Sequence, residues 1–140
     1  MIKRMDHVGI AVKDLEKSLA LWRDVLGLNL RTVEEIRERG LRIAILEKGD
    51  APAVELIASS DPETPIARFL AKRGEGIHHI CFEVEDIDEA MRELKSVGLH
   101  FVQENPQRGA EESRIAFLNP KDINGVLIEL KQKKGRVQDS

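Results

Sequence analysis

The sequence predicts an α+β fold, built as two tandem βαβββ modules whose strands form a curved mixed sheet around a cleft. Three observations carry that prediction. The stretch "MDHVGIAVKDLEKSLALWRDVLGL" from Met5 lies over "IHHICFEVEDIDEAMRELKSVGL" from Ile77 at an offset of 72 residues, placing His7 on His79, Val12 on Val84 and Asp14 on Asp86. Each copy opens with period-two alternation and then turns into an apolar stripe at helical spacing. Each is followed by three further strand-like runs.

Taken in order, Val8, Ile10 and Val12 alternate with His7, Gly9 and Ala11, as one face of a strand alternates with the other. Asp14 then occupies an N-cap position before Leu15, Leu19, Trp22 and Leu26, a helical stripe that Gly27 ends. Runs Leu28 to Val33, Leu41 to Leu46 and Val54 to Ala58 complete the first module, residues 1–60. A connecting segment, 61–75, has turn residues and a short helix around Ile66 to Lys72. In the second module, 76–131, the strand from Ile77 is followed by Asp86, which with Glu89 has capping-box spacing. Ile87, Met91, Leu94 and Val97 form its helix stripe, and a one-residue slip in the repeat brings Gly27 onto Gly98. Strands are then expected at His100 to Val102, Ser113 to Leu118 and Val126 to Leu130, and the polar "KQKKGRVQDS" end is expected to fray. The whole reads as one domain.

Composition narrows the partners. The chain is 41% hydrophobic and 34% charged with a net charge of −3, so no basic field points to nucleic acid and no polybasic run to an anionic membrane. A small molecule is the expected partner. One cysteine, Cys81, excludes an intramolecular disulfide framework, and the absence of a long apolar run or a secretory pattern gives a cytoplasmic expectation.

The repeat also selects residues. Adjacent strand positions face opposite ways, so His78 and His79 cannot serve one site. His79 pairs with His7 in the repeat, whereas His78 shares its face with Ile80, Phe82 and Val84, the side a helix should cover. Two carboxylates stand in otherwise apolar runs: Glu55 in "VELIAS" and Glu129 in "GVLIEL", 48 and 50 residues after their histidines. A carboxylate there is costly to desolvate unless it is paired, protonated or coordinated. Two imidazoles and two carboxylates, related by the duplication, suit one borderline divalent ion.

Paired βαβββ modules with one His and one Glu each resemble the vicinal oxygen chelate superfamily, which includes glyoxalase I, extradiol dioxygenases and bleomycin-resistance proteins. The segments "DPETPIARFLAKRGEGIHHICFEVEDID" and "RIAFLNPKDINGVLIEL" resemble its methylmalonyl-CoA epimerase branch most. What the resemblance implies is an isomerase that interconverts C2 epimers of an acyl-CoA through a metal-stabilised enolate. His7, Glu55, His79 and Glu129 would be the metal ligands, with Glu129 also catalytic. Co²⁺ stands first among the expected ions, with Mn²⁺, Ni²⁺, Fe²⁺ and Zn²⁺ as alternatives. Lys121, Arg114 and Arg108 would meet the substrate, and a homodimer is expected. Two positions depart from the pattern: Ile43 stands where some epimerases carry a second glutamate, and Asn119 where a histidine is common. The same scaffold also supports a glyoxalase I-type isomerase, or a metal-free binding protein of the bleomycin-resistance type.

Overall fold

The computed structural model describes residues 1–135 and shows the element order βαβββ, α, βαβββ. Its strands are β1 (Ile2–Ala11), β2 (Asn29–Ile36), β3 (Leu41–Glu47), β4 (Ala53–Ser59), β5 (Gly76–Val84), β6 (Gln107–Arg108), β7 (Arg114–Phe117) and β8 (Ile128–Gln132). The α-helices are α1 (Leu15–Leu19), α2 (Pro65–Arg73) and α3 (Ile87–Ser96). Contacts divide the chain into two compact units, His7–His78 and Met1–Asp6 with His79 onward. The divisions fall beside the two histidines that the repeat aligns.

In the unit His7–His78 the strands run β2-β3-β4-β1, with β1 and β4 parallel and the other neighbours antiparallel. The Asp14 carboxylate accepts a hydrogen bond from the Lys17 N–H at 3.0 Å and so starts α1 as its cap. Below it Val12, Leu15, Leu19, Ala44, Leu46, Leu56 and Ala58 form a buried cluster, with Ile10, Trp22 and Leu28 packed against it. Each fully buried leucine there contributes about 1.5–3 kcal/mol. The helix does not continue as expected: beyond Leu19 it becomes a π-helix, Ala20–Val25, whose wider turn closes with Leu26 N–H donating to Leu21 C=O. The stripe therefore rotates away from the sheet, leaving Leu26 exposed while Leu28 joins the cluster. The first copy of the repeat is one residue longer than the second across this helix, and the π-helix is where that residue is absorbed.

The other unit repeats the plan as β5-β8-β7-β6, again with the first pair parallel and the others antiparallel. Asp86 caps α3 through Glu89 N–H at 3.1 Å, and Val84, Ile87, Ala90, Met91, Ala116 and Leu130 form its core. Val97 is exposed because it follows the last helical residue and lies outside the stripe. Two strand expectations shift. Residues 100–102 contribute only a single bridge, Phe101 to Leu118, and the short edge strand lies later, at β6. Strand β8 starts at Ile128 and takes in Lys131 and Gln132, because both pair with β7. Residues 136–140 of the polar end lie outside the described residues.

Between the modules, Thr64 caps α2 through Ala67 N–H at 3.0 Å, and Pro65 occupies the first turn, where its missing N–H costs nothing. Among the described residues, no helix is long and apolar enough to cross a membrane.

Candidate metal and acid–base centre

The two glutamates occupy equivalent registers. In the first unit Glu55 lies beside Gly9 of the parallel neighbour β1, and in the second Glu129 lies beside Cys81 of β5. Gly9 and Cys81 are themselves repeat equivalents, each two residues past its histidine. A parallel neighbour in this register points His and Glu from the same sheet face, opposite the face that Ile10 and Val12, or Phe82 and Val84, give to the helix cores.

Within the first unit His7 Nδ1 lies 3.0 Å from Glu55 Oε2, both side chains almost wholly buried. Within the second, His79 Nε2 lies 2.9 Å from Glu129 Oε1, equally buried. Glu55 Oε2 takes no hydrogen bond in spite of the nearby imidazole nitrogen, so the ring is not donating to it. Such an orphaned buried carboxylate oxygen is expensive, and a cation is the partner its charge calls for. The spacing fits as well. With metal–donor bonds of about 2.1 Å, two donors at a right angle stand about 3.0 Å apart. Phe117 holds the His79 ring edge-on, with centroids 5.6 Å apart and planes at 87°.

His78 has a different place. It is half-buried and packs edge-on against Phe69 of α2 at 5.1 Å, a packing contact on the side of its strand away from His79. The surface cations diverge too. Arg114 forms a bidentate pair with Asp88 in the first turn of α3, at 2.7 and 3.0 Å, and its hydrogen bonds hold the Asp88 carboxyl below its ordinary value. Arg108 is exposed on β6. Lys121 is exposed in a short turn of helix that Asn119 caps by accepting from the Lys121 N–H at 3.0 Å. Beside it, Asp122 accepts from the His100 backbone N–H and contacts its ring, and the ring contact lowers the Asp122 pKa most.

Two groups emerge that sequence reading passes over. Asp6 and Lys131 form a buried ion pair at 3.1 Å in the second unit, where Lys131 had counted as part of a polar tail. In the first unit Glu34 faces Ile43 directly across β2 and β3. Ending that strand at Val33 hides it, although Thr32, Glu34 and Ile36 continue the alternation.

The profile of the glyoxalase/bleomycin resistance protein/dioxygenase superfamily matches residues 6–117. The ethylmalonyl-CoA/methylmalonyl-CoA epimerase of Cereibacter sphaeroides is 40% identical over 134 residues, 94% of this chain and 99% of its own. The crystal structure of methylmalonyl-CoA epimerase from Mycobacterium tuberculosis superimposes with a TM-score of 0.93 at 40% identity, over 99% of this chain and 93% of that one. A variant of the Streptomyces coelicolor epimerase in complex with 2-nitronate-propionyl-CoA gives 0.89 at 34% identity, over 96% and 100%.

Proposed function

The chain belongs to the methylmalonyl-CoA epimerase family of the glyoxalase/bleomycin resistance protein/dioxygenase superfamily, and from that premise we propose that it is an isomerase interconverting the C2 epimers of methylmalonyl-CoA. The observation that carries the reading is the pair of buried His–Glu couples in equivalent registers, His7 with Glu55 and His79 with Glu129.

These four residues would hold one divalent ion per chain, Co²⁺ first among the candidates and Mn²⁺, Ni²⁺, Fe²⁺ or Zn²⁺ after it. When bound, the ion supplies Lewis-acid stabilisation of the negative charge that develops on the thioester oxygen. The proton chemistry belongs to the chain. The C2 hydrogen lies between a thioester and a carboxylate, and inversion requires its removal on one face and the return of a proton on the other. Glu129 is the carboxylate assigned to one of these transfers, so it must come within hydrogen-bond reach of C2. Both couples are almost wholly buried, which shields them from water that would otherwise solvate the reacting charge.

Lys121, Arg108 and Arg114, all exposed, are the cations assigned to the substrate's phosphates. The working form is a single domain of paired modules, cytoplasmic and homodimeric, the pairing motivated by exposed sheet edges. The test combines metal content with epimer interconversion for wild type, His7→Ala and Glu129→Gln. Wild type should retain a divalent ion and interconvert the epimers. His7→Ala should lose metal at least as severely as the roughly 10–100-fold that removing an outer partner of a metal site costs. A wild-type chain that binds metal yet leaves both epimers unchanged would move glyoxalase-type substrates to the front.

A further inference from the structure

Inversion at C2 needs two proton-transfer groups, and Glu129 is one. The family resemblance puts the other at position 43, where this chain has an isoleucine that is 4% exposed and has no proton to move. The register of the first unit shows which residues surround that position. Ile43 is opposite Glu34 on β2 and Ile57 on β4, and Ile57 is opposite Ala11 on β1. Directly opposed residues point to one face, so Glu34, Ile43, Ile57 and Ala11 form a row across the sheet. The next row on that face is Thr32, Ile45, Glu55 and Gly9. The face carrying Glu55 therefore has one further carboxylate in these two rows, and it is Glu34.

Resting on the epimerase reading above, we propose that Glu34 is the second acid–base residue, a carboxylate one strand outward from position 43. Directly opposed Cβ atoms stand about 4.5–5.5 Å apart, a gap that a glutamate side chain can lean across over a shorter apolar neighbour. Glu34 is half-buried, so it is shielded yet reachable. Glu35, the next residue, lies on the opposite face, 3.9 Å from Arg42. In one direction the C2–H bond breaks, its proton passes to a Glu34 oxygen and the electron pair delocalises into the thioester. A proton from protonated Glu129 then forms the new C–H bond on the other face. The reverse direction exchanges the roles, and exchange with solvent restores both carboxyl groups.

The test is made on each epimer separately in D₂O, following epimerisation and C2 deuterium uptake in metal-loaded wild type, Glu34→Gln, and Glu34→Gln combined with Ile43→Glu. Glu34→Gln should slow epimerisation about 100-fold or more, while one epimer still exchanges its C2 hydrogen and the other does not. Ile43→Glu in that background should restore epimerisation to within about tenfold of wild type, which separates loss of a carboxylate from loss of the fold. Wild-type epimerisation by Glu34→Gln overturns the assignment, and so does equal loss of exchange from both epimers. A wild-type chain that exchanges neither epimer overturns the epimerase reading, and this assignment with it.

Discussion

Lys131→Met tests how the second unit tolerates charge in its interior. Lys131 Nζ lies 3.1 Å from Asp6 Oδ2, with the two side chains 3% and 8% exposed. At an effective dielectric of about 20, that separation corresponds to about 5 kcal/mol of attraction, much of it offset by desolvating both ions. Removing one partner of a buried pair leaves the other's desolvation uncompensated and costs about 3–5 kcal/mol. Partial relief comes from Lys133, half-exposed, whose Nζ is 3.7 Å from Asp6 and 3.3 Å from Glu83. Lys3 completes the chain of charges at 3.5 Å from Glu83. The expected loss is therefore at the lower end, about 3 kcal/mol, equivalent to roughly 10 °C in melting temperature for a chain of this size. Urea unfolding followed by far-UV circular dichroism, at fixed metal concentration because bound ligand adds its own stability, reads it directly. Asp6→Asn with Lys131→Met should recover at least about half of the loss, since no unpaired charge then remains at either position. A Lys131→Met cost below about 1 kcal/mol would refute the reasoning, because it would show the pair to be solvated like a surface one.

Leu56→Ala removes a fully buried side chain from the α1 cluster and should cost about 2–5 kcal/mol in the same unfolding measurement. At Gly109 an added Cβ would stand 2.7 Å from both Ile115 Cγ2 and Ser113 Oγ, so Gly109→Ala should cost about 1–3 kcal/mol by overpacking, a loss that differential scanning calorimetry would detect. Arg114 holds the Asp88 carboxyl below its ordinary value through their hydrogen bonds. Their stabilisation is therefore present above the ordinary carboxylate pKa and is lost as pH falls through the lower folded value. Arg114→Gln should flatten that part of the acid unfolding profile, by a small amount because both groups are exposed.

The repeat made the topology and both His–Glu couples legible, because a duplicated register constrains many positions at once. Agreement between Gly9 beside Glu55 and Cys81 beside Glu129 is what that constraint looks like in three dimensions. His78 was also readable as a packing residue from alternation alone, and Phe69 supplies its partner. Features that depend on pairing across distant sequence were not readable. Glu34 meets Ile43 only through the β2–β3 register, which contains a shift between Leu30 and Thr32 that no local pattern announces. Lys131 belongs to a strand because β7 pairs with it, although its own neighbourhood is polar. The short β6 has two residues, too few for any periodicity to develop.

The π-helix of the first unit has a bearing on how such a chain can change length. An inserted residue in β3 or β4, unless a bulge absorbed it, would reverse the facing of the residues beyond it in that strand and carry Ile43 or Glu55 to the wrong side. In the helix, one looser turn takes up the extra residue before the chain re-enters the sheet at Asn29. The segment Ala20–Val25 thus acts as slack in the chain, where a one-residue difference in length leaves the strand registers that hold the His–Glu couples unchanged.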